Sequence, residues 1–405
     1  MFDIETIRSR FPALNRTENG YPAAYLDGPG GTQVPQTVID AMSGVLNDGV
    51  SNLGGGFGSS DLADKVTAEA RQAMADMFNC DPGEIVFGQN MTSLTFALSR
   101  ALATTWNSGD AIVLTSLDHD ANFTPWARAA EDRGVEVRIA EFDVDNWLLD
   151  PEAVIELIDE NVRLVAVAYS SNALGTMIDI PPIAAAAHEF GATVFVDAVH
   201  AGPHHLIDVA QLGCDFLAAS VYKFFGPHTG VLYGRHDLLA GSSAYKVRPA
   251  PSDPPGKWET GTQSFESLAG VTAAVDYIAS LGSDGATRRG SLEMAFAEIK
   301  DHEDALSRSF VVGLGRLPKV NLFGVPEVNN DRGPTFAISI DGHEPAAVAA
   351  HLASRGVYVW SGHYYAVNVM RQLGVLDQGG LVRVGFVHYN TETEVNRALE
   401  ALAEV

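Results

Sequence analysis

Short apolar runs alternate with helical patterns between about residues 70 and 235. Apolar side chains recur at helical spacing in "DLADKVTAEARQAMADMF" and "MTSLTFALSRALATTW", which are followed by the short runs "EIVFG" and "DAIVLTS". The same order continues through "VEVRIAEF", "VRLVAVAYS", "ATVFVDA", "FLAAS" and "GVLYG". Continuous apolar runs of about five residues joined by helices are typical of a mostly parallel sheet that is buried on both faces. The pattern therefore predicts an α/β fold whose ligand site lies beyond the carboxyl ends of the strands.

The pattern changes after about residue 265. The segment "SLEMAFAEIKDHEDALSRSFVVGLGRL" predicts a long helix, and "TFAISID", "EPAAVAAHLASRG" and "LVRVGFV" predict a strand, a helix and a strand. A final helix opens with Thr391 and Glu394 at the spacing of a capping box. We therefore predict an N-terminal segment (1–25) that packs with the small domain, a large ligand-binding domain (26–280) and a small C-terminal α+β domain (281–405).

Charge and composition exclude several classes of partner. The formal net charge is −25, whereas nucleic acids and anionic membranes both require a basic face. The stretch "MFDIETIRSRFPAL" lacks the basic-then-apolar pattern of a secretory signal, and we expect no membrane span because no apolar run reaches the ~18 residues that one needs. Cys80 and Cys214 are the only cysteines and lie far apart, which favours neither a disulfide framework nor a thiolate metal site. We expect a cytoplasmic enzyme without a metal.

Two other candidate ligand motifs are not supported by the sequence around them. The glycine-rich "NLGGGFGSSD" lacks the last glycine of a dinucleotide fingerprint and lies between helical stretches. The histidine pair His204 and His205 has no carboxylate at helical ligand spacing, which favours solvated or hydrogen-bonded side chains over a metal site.

Polar side chains follow five of the predicted strands, at the point where each strand ends. Lys223 follows "FLAAS" in an apolar stretch, where the pKa of an unpaired amine falls. Taken alone, a lysine at this position is better explained by a side chain whose amine reaches solvent. The other strand ends carry a carboxylate, imidazoles, an amide and a helix start whose N–H groups can bind an anion: Asp197, His200, His119, Asn172, Asn90 and Met91. Since such strand ends meet at one edge of a sheet, these residues predict a single site.

This combination of groups matches what pyridoxal 5′-phosphate (PLP) chemistry requires. A buried lysine of lowered pKa forms an imine with the aldehyde. An ionised aspartate keeps the pyridine nitrogen protonated, so that the ring accepts electrons from a carbanion. A helix N-terminus holds the phosphate, and an imidazole stacks on the ring.

The sequence resembles fold-type I PLP-dependent enzymes of the class V aminotransferase family. Its motif order is similar to that of group II cysteine desulfurases, selenocysteine lyases and desulfurase-like proteins. The resemblance runs from "YLDGPGGTQVPQTVIDAM" through "DHDAN", "SNALGT", "VDAVHA", "SVYKFFGPHTGVLYG" and "ETGTQ" to "LVRVGFVHYNTETEVNRAL". It implies a PLP fold-type I architecture, PLP as the cofactor, and a homodimer with shared active sites that acts on a small amino acid.

The resemblance implies roles around the cofactor ring. Lys223 would attach to the cofactor and move protons at the substrate Cα, and Asp197 would pair with the pyridine nitrogen. His119 would stack on the ring, while His200 and Asn172 would face the ring oxygen.

It also implies roles for the phosphate and the substrate. The residues implied to bind the phosphate are Asn90, Met91, Ser220 and Tyr222, with Thr262 reaching the phosphate of the neighbouring subunit. Tyr222 stands where the desulfurases have a phosphate-binding histidine. Arg383 would bind the substrate carboxylate through two hydrogen bonds. Apart from the resemblance, we expect His363 and Tyr365 to contact the substrate, either as acids or by shaping the pocket; the alternative is that they only close the pocket sterically.

The resemblance breaks at the loop "VWSGHYYAVNVM", where Tyr365 occupies the position of the desulfurase cysteine. Neither Cys80 nor Cys214 can be assigned to the mouth of the site. We therefore predict an aminotransferase or C–S lyase (β-elimination) that lacks the catalytic cysteine. A true cysteine desulfurase or selenocysteine lyase, an amino-acid epimerase, and a non-enzymatic sulfur-trafficking scaffold that keeps the fold remain alternatives.

Overall fold

A computed structural model describes residues 3–282 and 285–405. Its helices are α1 (Ile4–Ser9), α2 (Gln36–Asp48), α3 (Gly58–Phe78), α4 (Met91–Leu102), α5 (Thr124–Arg133), α6 (Pro151–Ile155), α7 (Ile180–Glu189), α8 (Val209–Leu212), α9 (His236–Gly241), α10 (Phe265–Ala279), α11 (Arg288–Leu314), α12 (Pro345–Ser354), α13 (Val367–Gln372) and α14 (Glu392–Ala403). Its strands are β1 (Thr17–Glu18), β2 (Tyr21–Pro22), β3 (Ala24–Tyr25), β4 (Ile85–Gly88), β5 (Ala111–Thr115), β6 (Glu136–Ala140), β7 (Val162–Ala168), β8 (Thr193–Asp197), β9 (Phe216–Ser220), β10 (Gly230–Gly234), β11 (Val320–Phe323), β12 (Thr335–Ile340), β13 (Val357–Tyr358), β14 (Trp360–Gly362) and β15 (Leu381–Gly385).

The central sheet has seven strands in the order β4-β10-β9-β8-β7-β5-β6. Strand β10 runs antiparallel to both β4 and β9, and the other pairs are parallel. Each strand predicted between residues 84 and 234 is present, so the predicted α/β class is confirmed. Because β4 is parallel to β9, the carboxyl ends of β4, β5, β7, β8 and β9 all reach the same edge of the sheet.

Helices cover both faces of this sheet because its strands are apolar on both faces. Every residue of β5, β9 and β10 is buried. One face packs against α2, α3, α7 and α10 in the larger hydrophobic core, and the other packs against α4 and α5. A strand that is buried on both faces reads as a continuous apolar run, which is why the sequence identified these strands.

A second, four-stranded sheet in the order β11-β12-β15-β14 forms the C-terminal part of the chain. It packs with α12, α14 and the second half of α11 around a separate core. Helix α14 begins with the capping box that the sequence predicts: Glu394 N donates to Thr391 Oγ1 at 3.2 Å, and Thr391 N donates to Glu394 Oε2 at 3.0 Å.

The N-terminal segment contacts both parts of the chain. Strand β3 pairs in parallel with β13, whereas Ile7 and Phe11 belong to the larger core. Helix α11 likewise contributes Leu292 to the larger core and Phe310 to the C-terminal core. The domain limits at residues 25 and 280 stay predictions.

Candidate active site

A cavity of about 1010 Å³ opens at the carboxyl edge of the central sheet. It brings together twelve of the thirteen side chains predicted from the sequence: Asn90, Met91, His119, Asn172, Asp197, His200, Ser220, Tyr222, Lys223, His363, Tyr365 and Arg383. The thirteenth, Thr262, is exposed just before α10 and does not line this cavity. The expectation for Thr262 concerns a neighbouring subunit, so it stays a prediction.

Lys223 ends a short helical turn that directly follows β9. Its Nζ donates a hydrogen bond to the main-chain oxygen of Pro29 and lies 4.8 Å from the ring centroid of Tyr222. Burial, reinforced by the positive charge of Arg383, lowers the pKa of the Lys223 amine to about 7. A lysine in this state is a nucleophile at neutral pH.

Asp197 is the last residue of β8 and is buried. One carboxylate oxygen accepts a hydrogen bond from Val199 N at 2.9 Å. Burial raises the pKa of the Asp197 carboxyl to about 6, while the charge of Lys223 acts in the opposite direction. A buried carboxylate of this kind is stabilised by a cation in contact with it, such as a protonated ring nitrogen.

His119 lies in the turn after β5, and its ring forms one wall of the cavity. Its Nδ1 accepts a hydrogen bond from Ala121 N at 3.0 Å, which assigns the proton of the neutral ring to Nε2. Burial, with a smaller effect of the Lys223 charge, lowers the pKa of His119 to about 4. The imidazole is therefore neutral at pH 7. It stacks on the ring of Tyr365, with 5.5 Å between centroids and 26° between the planes.

Arg383 lies in β15, so the second sheet supplies the guanidinium of the site. Its Nη1 donates to Asn172 O at 2.9 Å, and its Cζ lies 4.6 Å from the ring centroid of Tyr364. These two contacts hold the guanidinium plane at the cavity wall, where it can bind a carboxylate in bidentate fashion.

Tyr364 and Tyr365 form a constrained turn over the cavity mouth. Both adopt left-handed backbone conformations, with φ of 50° and 59°, which costs free energy in residues other than glycine. Asn172 Nδ2 donates to Tyr364 O at 2.9 Å, and Asp120 N donates to Tyr365 O at 2.7 Å. The side chain of Tyr365 is 65% exposed, so this turn presents an aromatic ring at the mouth.

The start of α4 also lines the cavity. Asn90 caps the helix through Oδ1, which accepts from Ser93 N at 2.9 Å. Met91 N donates to Ser220 Oγ at 3.0 Å, linking α4 to the end of β9. The first turn of a helix carries N–H groups without partners inside the helix and a partial positive charge, which suit a phosphate.

Buried polar atoms without protein partners show that the site fits PLP. His200 Nε2 and Asn172 Oδ1 are buried with no hydrogen-bond partner among the described residues, and both side chains line the cavity. Unpaired buried polar atoms are costly in a folded protein. A planar, polar cofactor between His119 and Asp197 would supply partners for them.

Further cavity residues were not identified from the sequence: His228, Trp360, Asp120, Phe96 and several smaller side chains. His228 and Trp360 were not identified because a single histidine or tryptophan outside a recognised motif has many possible roles. The sequence offered a weak indication for Asp120, because this residue adjoins His119 in "DHDAN".

Over residues 3–282 and 285–405, no group of three or more histidine, cysteine and acidic side chains could hold a metal ion. His204 instead pairs with Glu303, with 2.9 Å between Nδ1 and Oε2. None of the described helices combines the length and the apolar character that a membrane crossing requires.

Known proteins are similar to this chain over nearly its whole length. Residues 24–398 match the model of the family described as "Aminotransferase class-V". A cysteine desulfurase of Salmonella agona (strain SL483) is 30% identical, and the match covers 100% of this chain and 98% of the relative.

Solved structures share the fold. The apo structure of a cysteine desulfurase from Thermococcus onnurineus NA1 has a TM-score of 0.87 and 27% identity, covering 99% of this chain and 97% of that one. A mutant of the protein C-DES, solved with glycine covalently linked to its PLP cofactor, has a TM-score of 0.79 and 20% identity, covering 98% and 99% of the two chains.

Proposed function

This chain belongs to the class-V aminotransferase family and is a PLP-dependent enzyme, and from that premise we propose that it acts at the Cα of a small L-amino acid. The proposed reaction is of the aminotransferase or C–S lyase (β-elimination) type, and it proceeds without a catalytic cysteine.

The position of the two cysteines is the observation that supports this choice. Cys214 is buried in the larger core just before β9 begins, whereas the cavity lies at the end of that strand. A five-residue strand spans about 17 Å, so the thiol lies at the far edge of the sheet. Cys80 follows α3 and packs against the same core. Burial raises the pKa of both thiols, which makes them poor nucleophiles.

The cavity side chains divide the chemistry between them. When bound, PLP supplies an electron sink that stabilises negative charge at the substrate Cα. Asp197 would keep the pyridine nitrogen protonated, and the neutral ring of His119 would stack against the cofactor. Arg383 binds the substrate carboxylate and thereby orients the Cα. The Lys223 amine, with its pKa near neutrality, accepts and returns the proton at Cα.

A homodimer with shared active sites is part of the proposal. Thr262 is exposed beside the entry to α10, which leaves it available to a phosphate held by a neighbouring subunit. The nearby side chains of Tyr245 and Val247 are 62% and 69% exposed, and their burial would favour association.

Product analysis tests the reaction type. The full-length holoprotein is incubated with a panel of L-amino acids and thioether conjugates, and keto acid, pyruvate, ammonia and sulfide are measured. Transamination yields more than one equivalent of keto acid per active site only when an amino-group acceptor is present, whereas β-elimination yields pyruvate, ammonia and a thiol in repeated turnovers without an acceptor. Sulfide release from cysteine through a protein persulfide, detected as a mass increase on Cys80 or Cys214, would contradict the proposal and favour a desulfurase.

Inversion at Cα tests the remaining alternative. Exchange of the Cα hydrogen with solvent deuterium, accompanied by formation of the D-enantiomer and no keto acid, would favour an epimerase. Chiral chromatography of the same reaction mixtures separates this outcome from the proposed one.

A further inference from the structure

The connection between β9 and β10 holds two aromatic rings face to face. Ser220 and Gly230 are paired across the two antiparallel strands, and Val221 N donates to the oxygen of Thr229 at 2.8 Å. The next step of this ladder brings residues 222 and 228 opposite each other. The rings of Tyr222 and His228 lie 4.7 Å apart between centroids and 7° from parallel. The hairpin therefore fixes the position of His228.

His228 lies beside the N-terminus of α4. Gly230 packs so closely against the main chain of Asn90 that a Cβ on residue 230 would come within 2.4 Å of its carbonyl carbon. Met91, Thr92 and the His228 ring line the same cavity. The imidazole is therefore at the end of the cavity where the first helical turn offers N–H groups.

Few lysine or arginine side chains line the cavity. Among the described residues that line the cavity, the only such cations are Lys223 and Arg383. The first contacts Pro29 O and the second contacts Asn172 O, at the aldehyde and carboxylate positions of the proposed site. A phosphate dianion bound by a chain of net charge −25 gains from a further donor that can carry positive charge.

The other cavity histidines have different neighbours. His119 stacks on Tyr365, and His363 Nδ1 accepts from the main-chain N of Tyr365 at 3.1 Å. The ring of His200 lies 5.5 Å from that of His204. His228 is the cavity histidine that belongs to the hairpin packed against Asn90.

We propose that His228 donates a hydrogen bond to the 5′-phosphate of PLP, and that Tyr222 acts as a positioning residue by stacking on the imidazole. The phosphate thereby receives donors from α4 and from the loop that leads into β10. This inference rests on the proposed assignment of Asn90, Met91 and Ser220 to the phosphate.

Comparison of PLP with pyridoxal, which lacks the phosphate, isolates this contact. Cofactor-stripped full-length protein is titrated with each compound, and binding is followed by intrinsic fluorescence. His228→Phe keeps a ring for Tyr222 but removes the N–H. We expect it to raise the Kd for PLP about 10- to 100-fold, as for a lost hydrogen bond to a charged group, and to leave the Kd for pyridoxal unchanged.

His228→Gln is the matched control, because it keeps an N–H donor and loses the ring. We expect its Kd for PLP to stay within about threefold of the wild-type value, since the donor carries most of the contribution. The 31P resonance of bound PLP should shift in His228→Phe and remain near the wild-type position in His228→Gln.

Three results would overturn the inference: equal losses of PLP and pyridoxal affinity in His228→Phe, no loss in that variant, or a larger loss in His228→Gln than in His228→Phe. The proposed reaction is tested separately. Wild-type protein that binds PLP and turns over no amino acid would contradict the reaction while leaving the phosphate comparison valid.

Discussion

Arg383 donates a hydrogen bond from Nη1 to the main-chain oxygen of Asn172, with 2.9 Å between the two atoms. The bond joins β15 of the C-terminal sheet to the loop after β7 of the central sheet, 211 residues away in the chain. The same loop donates through Asn172 Nδ2 to the oxygen of Tyr364. The orientation of the proposed carboxylate-binding group thus depends on contacts from both sheets, which also hold the turn over the cavity mouth.

Arg383→Lys should raise KM for the amino-acid substrate about 10- to 100-fold, with a smaller effect on kcat. Lysine keeps the charge but loses the planar fork that binds a carboxylate with two bonds, and a hydrogen bond to a charged group contributes about 1.5–3 kcal/mol. Steady-state kinetics measure the effect. The substrate's amide derivative is the control, because it lacks the carboxylate; an equal penalty for acid and amide would contradict the assignment.

Capture of PLP by the cofactor-free protein should accelerate between about pH 6 and pH 8. The pKa of Lys223 is lowered to about 7, so the amine is protonated and unreactive below this pH and free above it. Stopped-flow absorbance across the pH range gives the profile. An inflection near the ordinary lysine pKa of about 10.4 would contradict the burial argument.

Lys223→Ala provides the covalent control for that experiment. It should bind PLP without forming a bond that borohydride reduction makes permanent, and it should lack turnover. Intact-protein mass spectrometry after reduction measures this directly. A reduced adduct of unchanged yield in the variant would assign the covalent attachment to another amine.

Asp197→Asn should lower kcat about 100- to 1,000-fold, the range found when a preorganised electrostatic contact is removed. The amide keeps the shape of the side chain but cannot hold a proton on the pyridine nitrogen. Asp197→Glu keeps the charge and should be less impaired. PLP content is measured alongside, and full activity in a loaded Asp197→Asn variant would be inconsistent with the assigned role.

Asp118→Asn should become progressively more stable relative to wild type as pH rises from 5 to 8. Asp118 is 2% exposed, and burial raises the pKa of its carboxyl to about 8, with the Asp197 charge adding to the effect. The native state then binds the proton more tightly than the unfolded state. Stability therefore falls by about 1.4 kcal/mol per pH unit between the two pKa values, and asparagine does not titrate.

Thermal unfolding of both proteins at pH 5 and pH 8 measures this difference. The side chain accepts hydrogen bonds from Thr115 Oγ1 and from Asn122 Nδ2; an amide can accept the second through its oxygen and donate its own N–H to Thr115 Oγ1. A difference in Tm that is constant with pH would contradict the raised pKa.

The strands and the residues at their ends were predictable because both follow from local pattern. An apolar run such as "FLAAS" identifies β9, and the parallel arrangement brings its Lys223 to the same edge as Asp197. The positions of Tyr364 and Tyr365 were not predictable, because their left-handed turn depends on hydrogen bonds from Asn172 and Asp120. Such contacts come from residues far away in the chain.

His228 was missed for a related reason. Its contact with Tyr222 follows from the register of β9 and β10, and a register is not visible in either strand alone. Thr262 illustrates a further limit, since its proposed role involves a second subunit.

A cysteine-free variant tests the central claim most directly. Cys80→Ser/Cys214→Ala is prepared as holoprotein, and kcat/KM is measured with the best substrate from the panel, with PLP content and Tm determined on the same sample. The account predicts kcat/KM within about twofold of wild type, because neither thiol lies at the cavity; a change of that size corresponds to only about 0.4 kcal/mol. A loss of 100-fold or more (about 2.7 kcal/mol), with PLP content and Tm retained, would contradict it.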